Sequence, residues 1–181
     1  MSASKKGLTC SASTCVTSGI DMKPKYITLY MDLADRISQM SYAKRLQVGS
    51  VIVKENTIIS YGWNGMPSGW ENDCETRTHY TDGGPEGPVW YDENGSMYGL
   101  KTKPEVLHSE MNSLMKVAQS TESSAAATMF CTHAPCMDCA KAIYQAGIST
   151  LYYREEYRSL KGVEFLKKSG VNVLKYEDRD K

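Results

Sequence analysis

The sequence predicts an α/β protein: a mixed five-stranded sheet with helices covering it. Three observations point there. Two β-branched runs near residue 50 are separated by a turn, as in a hairpin. Strand-like and helix-like segments then alternate from residue 108 to the end. Finally, the chain has no internal repeat and no apolar run long enough to span a membrane.

Taken in order, residues 1–22 are small and polar and read as a flexible tail, and 23–181 as one domain. From Tyr26 to Met40, behind Pro24, the residues Ile27, Tyr30, Met31, Ala34 and Ile37 recur at helical spacing. Val48 to Val53 and Thr57 to Tyr61 read as strands joined by Lys54-Glu55-Asn56. Residues 62–105 hold most of the glycines and prolines and read as mostly irregular loop, with 70–104 as an insertion. A helix follows at His108, with Met111, Leu114, Met115 and Ala118 spaced to face a core. Thr128 to Thr132 reads as a strand. The next helix has Pro135 at its first position and Gly147 as its C-cap. Leu151 to Arg154 is the fourth strand, Val163 to Lys168 the last helix and Val171 to Tyr176 the last strand. The order is α-β-β-α-β-α-β-α-β.

Chemistry is concentrated in two motifs, His108-Ser109-Glu110 and Pro135-Cys136-Met137-Asp138-Cys139. Cys136 and Cys139 are spaced i, i+3, so a helix presents both sulfurs on one face, and the helix N-terminus favours thiolates. With His108 they supply three corners of a zinc tetrahedron and leave the fourth open, as catalytic sites do. A zinc so held would acidify a water to about pH 7. Glu110 would take that proton, deliver it to a pyrimidine N3, and later assist the departing ammonia. Two other readings of Cys-x-x-Cys remain open. A redox pair would need both thiols free, and a structural knuckle would need a fourth ligand, for which His133 is the candidate. The combined pattern H-x-E…P-C-x-x-C is that of zinc nucleobase deaminases.

Composition narrows the partners. With 21 basic and 21 acidic residues the chain is neutral, which argues against a polynucleotide substrate but not against a small phosphorylated one. Of its six cysteines, Cys10 and Cys15 lie in the tail and Cys131 in a strand, a pattern suited to a reducing cytosol. No signal peptide is evident, and no membrane or nucleic-acid partner is expected.

From about Tyr26 to Tyr176 the chain resembles the deoxycytidylate (dCMP) deaminases of phage and viral type, a branch of the cytidine deaminase superfamily. Beyond the zinc motifs, the resemblance rests on Gly62-Trp63-Asn64-Gly65-Met66-Pro67-Ser68-Gly69, on Gln47-Val48-Gly49-Ser50-Val51-Ile52, and on Tyr153-Arg154-Glu155-Glu156-Tyr157. It implies a three-layer αβα fold, one catalytic zinc per chain, and conversion of dCMP to dUMP for thymidylate synthesis in the cytosol (the host's, for a viral protein). It also implies a hexamer, activated by dCTP and inhibited by dTTP. By position, His108, Cys136 and Cys139 would hold zinc and Glu110 would shuttle protons. Asn64 would meet the sugar hydroxyl, Ala134 and Pro135 the pyrimidine edge, and Tyr157 the phosphate and base. The chain departs from the pattern at Ser109, where the family normally has alanine; a small hydroxyl should be tolerated. Cys74 and His79 are candidate remnants of a second zinc site without a complete ligand set.

Regulation has its own candidates. The glycine-rich 62–69 loop offers backbone N–H groups, and with Lys44, Arg45, Asn64 and Gly65 it could bind a deoxynucleoside triphosphate. Lys44 and Arg45 are otherwise a solvated helix end. Other substrates stay open: dCTP, free cytidine, a riboflavin precursor, or a base in RNA or single-stranded DNA. A non-catalytic, zinc-stabilised binding protein is the remaining alternative, and Glu110 separates it from an enzyme.

Overall fold

The computed structural model describes residues 22–79 and 88–178. Nearly all of the expected tail lies outside the described residues, as does part of the 70–104 insertion.

Helix α1 (Pro24–Ser38) starts on its proline, whose missing N–H costs nothing there. Strands β1 (Gly49–Lys54) and β2 (Thr57–Trp63) form the expected hairpin. Its two turn residues, Glu55 and Asn56, both have positive φ, at 50° and 60°, the signature of a tight type I′ turn. Strand β3 (Glu75–His79), strand β4 (Trp90–Tyr91) and strand β5 (Met97–Thr102) come next. Helix α2 (Ser109–Ala118), strand β6 (Thr128–His133), helix α3 (Met137–Gln145), strand β7 (Thr150–Glu155), helix α4 (Lys161–Lys168) and strand β8 (Asn172–Lys175) complete the order.

The main sheet runs β2-β1-β6-β7-β8, antiparallel at the hairpin side and parallel from β6 onward. It is the expected mixed five-stranded sheet, and strand alternation divides its two faces. Val51, Val53 and Phe130 pack against Tyr30, Met31 and Ala34 of α1. The intervening Ile52, Met129 and Cys131 join Leu151 in a second core with Leu114 and Val117 of α2, Ile143 of α3 and Leu166 of α4. The result is a three-layer αβα fold: α1 on one face, α2, α3 and α4 on the other. On the α1 face Arg154 of β7 pairs with Asp32 and Asp35 of α1 and with Asp178 beyond β8.

The structure adds to the sequence reading in one place and corrects it in another. Most of the described residues within 62–105 lie outside strands, as expected, but β3, β5 and β4 among them form a separate antiparallel sheet in that order. Its strands are short and separated by glycines, which hid their alternation. The β4–β5 connection is a turn in which Asp92 Oδ1 accepts from the Asn94 and Ser96 amides, and Gly95 takes φ +77°. Pro135 also lies outside its helix. Cys136 is the N-cap, with extended backbone, and α3 begins at Met137. Gly147 does end α3, with φ +75° and with the Gly147 and Ile148 amides donating to the Tyr144 and Ile143 carbonyls.

Candidate metal centre and cleft

The site lies where β6 and β7 end and α2 and α3 begin. His108 is the N-cap of α2 and Cys136 the N-cap of α3, so both ligands leave the backbone at helix starts. The cross-bridge Gly65–Leu107, paired in both directions at 3.1 and 2.9 Å, fixes the chain entering His108 to the 62–69 loop. From the other side Gly162 seats α4 on the cysteine turn. A Cβ at Gly162 would come 2.2 Å from the Pro135 carbonyl oxygen, so only glycine permits this approach.

His108 Nδ1 is 3.5 Å from Cys136 Sγ and 3.4 Å from Cys139 Sγ. A tetrahedral zinc with ordinary bond lengths needs N···S edges of about 3.6 Å. The three donor atoms lie within 4.8 Å of one another and form the one such cluster among the described residues. Without a cation the three donors compete for protons. Hydrogen bonds from Cys139 and then from His108 hold Cys136 down at about 4. The same Cys136 contact, with burial, pushes the Cys139 thiol upward, and hydrogen bonding to Cys136 raises His108. A divalent ion would favour both thiolates and relieve that conflict. His133, the candidate fourth ligand, is not in the cluster. Its ring meets Thr132 Oγ1 at 3.0 Å, and burial lowers its proton affinity. Three protein donors make an open site.

Glu110 stands beside the cluster, 4% exposed, with burial raising its proton affinity. Its Oε2 accepts from Ser109 Oγ at 2.9 Å. His108, Glu110 and Cys136 line one cleft of about 190 Å³, which also receives Asn64, Ala134 and Tyr157. A cleft of this size admits one small ligand.

Other expected residues divide. Asn64 uses its amide structurally: Oδ1 accepts from the Val48 amide and Nδ2 donates to the Leu46 carbonyl. One amide hydrogen and one lone pair remain to it. Ala134 donates its N–H to the Glu155 carbonyl, and Pro135 is fully buried behind it. Arg45, expected at an effector site, lines the same cleft as Glu110, whereas Lys44 and Gly65 do not reach its wall. The Lys44 and Arg45 amides both donate to the buried Glu75 Oε1, and Arg45 Nη1 donates to Thr102 Oγ1. Sequence reasoning missed Glu75, Thr102 and Arg158 as cleft residues. Of these, only Arg158 carried a signal, as a cation next to Tyr157. Cys74 is buried among Ala43, Val106 and Met66, and the His79 side chain lies outside what the structure describes.

Residues 24–155 match the family described as the cytidine and deoxycytidylate deaminase zinc-binding region. The chain belongs to that family. As a family member it is 32% identical over 166 residues to the deoxycytidylate deaminase of Enterobacteria phage T4, covering 80% of this chain and 86% of that one. It is 30% identical to the ComE operon protein 2 of Bacillus subtilis, covering 82% and 69%. Among solved structures it resembles the dCMP deaminase of cyanophage S-TIM5 in complex with dCMP and dUMP. That match has 43% identity, a TM-score of 0.71, and coverage of 86% of this deaminase-family chain and 99% of the other.

Proposed function

We propose that this chain hydrolytically deaminates dCMP, taking water and releasing dUMP and ammonia, as a step toward thymidylate precursors. The observation that carries the reading is the buried carboxyl of Glu110 beside an open three-donor centre, on the wall of one cleft. A purely structural metal site has no use for such a carboxyl. The cyanophage relative's complex with dCMP and dUMP supports the same substrate.

His108, Cys136 and Cys139 would hold one zinc per chain, which when bound supplies Lewis-acid activation of water. Glu110 moves the protons: it removes one from the attacking water, protonates the ring at N3, and then protonates the leaving amine. Burial raises its proton affinity, which favours a group that carries a proton between atoms. The remaining hydrogen and lone pair of Asn64 suit a sugar hydroxyl. The backbone at Ala134, on the cleft wall, with Pro135 buried beside it, would meet the pyrimidine edge, and Tyr157 would meet the base and phosphate. Arg45 and Arg158, both on the cleft wall, suit the phosphate.

Two guanidinium groups at one cleft also favour a second reading, in which dCTP is a substrate. Control by dCTP and dTTP, assembly into a hexamer and work in the cytosol remain part of the proposal. The test is ultraviolet-monitored turnover of dCMP, dCTP, CMP and deoxycytidine, each with and without dCTP or dTTP, alongside sedimentation. Fast loss of dCMP absorbance, tuned by the triphosphates, supports both parts. Turnover that ignores them removes the regulatory part, and silence on all four substrates with zinc bound removes the enzyme reading.

A further inference from the structure

We propose that Ser109 is a positioning residue for Glu110: its buried hydroxyl pins one carboxylate oxygen and holds the proton carrier in a single orientation beside the metal centre. This rests on the deaminase reading above and deepens it. The family resemblance leads one to expect alanine at this position, and alanine could make no such bond.

The Ser109 side chain is completely buried, and its Oγ donates to Glu110 Oε2 at 2.9 Å. Ser109 is the first residue of α2, after the N-cap His108, and its hydroxyl is directed to Glu110. The anchor is itself fixed. Ser50 Oγ lies 2.8 Å from the Ser109 carbonyl oxygen and 3.0 Å from Ser113 Oγ, and Ser113 Oγ donates to the Glu110 carbonyl at 2.9 Å. Ser60 Oγ donates to the Ser113 carbonyl at 2.7 Å. Gly62 of β2 closes the arrangement: a Cβ there would come 2.5 Å from the Ser109 carbonyl oxygen. The first turn of α2 is therefore clamped to β1 and β2, so the hydroxyl acts from a rigid base.

A glutamate has three side-chain torsions, and burial alone does not choose among their staggered combinations. A hydrogen bond to one carboxylate oxygen removes most of them. Proton transfer needs donor and acceptor within hydrogen-bond reach, so a carboxyl already oriented spends more of its time in the reactive geometry. Such an effect belongs to kcat rather than to substrate affinity.

The test compares the zinc-loaded protein with Ser109→Ala and Ser109→Thr, by dCMP kinetics, zinc content, melting temperature and crystal structures. The expected result for Ser109→Ala is unchanged zinc, a melting temperature lowered by only a few degrees, KM within about twofold, and kcat down about tenfold, the loss of one charge-assisted hydrogen bond. Its Glu110 side chain should occupy more than one rotamer, and Ser109→Thr should recover kcat. A Ser109→Ala enzyme with undiminished kcat, or one whose Glu110 keeps its single rotamer, overturns the proposal. Should the unaltered protein leave dCMP untouched, the substrate reading fails, while the crystallographic comparison still decides the role of Ser109.

Discussion

Glu110 and His133 face the same cleft, burial moves their proton affinities in opposite directions, and each makes a prediction. Burial favours the neutral form of both, but only Glu110 has a proton-carrying task in the proposed reaction. Replacing it by Gln keeps shape and removes basicity; Glu110→Gln should retain zinc and melting temperature while kcat falls about 10³-fold. Retained turnover would sink the mechanism. His133 acts on stability. Its folded proton affinity is depressed, so the native state prefers the neutral ring. Its contribution is therefore complete above the unfolded value of about 6.5 and is lost as pH falls through the lower folded value. Melting temperatures should drop from pH 7 toward 5, and His133→Gln should flatten that slope; an identical slope in the variant would show that other groups cause it. At this scale the His108, Cys136 and Cys139 donor cluster was legible because zinc demands particular donors at fixed spacings. Glu75 was not: nothing in the sequence around Glu75 reveals that its carboxylate accepts the amides of Lys44 and Arg45, some thirty positions earlier.

Elements set the donors' geometry through a close approach of backbone. Gly162 brings α4 against the Pro135 carbonyl, so Gly162→Ala must push helix and cysteine turn apart. Overpacking of this kind costs about 1–3 kcal/mol. Zinc affinity should fall together with melting temperature, as metal titration and calorimetry would report; an unaltered affinity would mean the turn holds its shape without α4. The β1–β2 turn offers the opposite experiment. Glu55 occupies a left-handed conformation better suited to Asn, and Asn56 one better suited to Gly. The double change Glu55→Asn, Asn56→Gly should gain about 1 kcal/mol, roughly 2–4 °C in melting temperature. No gain would indicate that the bond from Tyr30 Oη to the Asn56 carbonyl already sets the turn. The hairpin and four helices were readable because each has an apolar period of its own. Strands β3, β4 and β5 were not, since their partner residues lie on both sides of glycine-rich turns and none carries a long alternating run.

At the scale of the whole molecule the apolar core does not draw on the donor cluster. Phe130, Met129, Leu151, Ile143 and Leu166 are fully buried by the three layers, and His108, Cys136 and Cys139 are not members of those core clusters. Chelation should therefore lower the melting temperature by several degrees through lost binding, yet leave the helical circular-dichroism signal intact. Collapse of that signal would place zinc among the folding determinants, as in zinc fingers. The layer order could be read from the alternation of segments, whereas the insertion's sheet and its contribution to the cleft wall required coordinates. Arg154 has one more consequence. It ties α1 to Asp178, while Tyr176 Oη donates to Thr28 Oγ1 at 3.1 Å, so the first helix and the last described residues are neighbours. The described residues therefore begin and end close together in space. A circular permutant that links residue 178 to residue 24 and opens in the Asp92–Gly95 turn should keep the same architecture, its ends relocated to the small sheet.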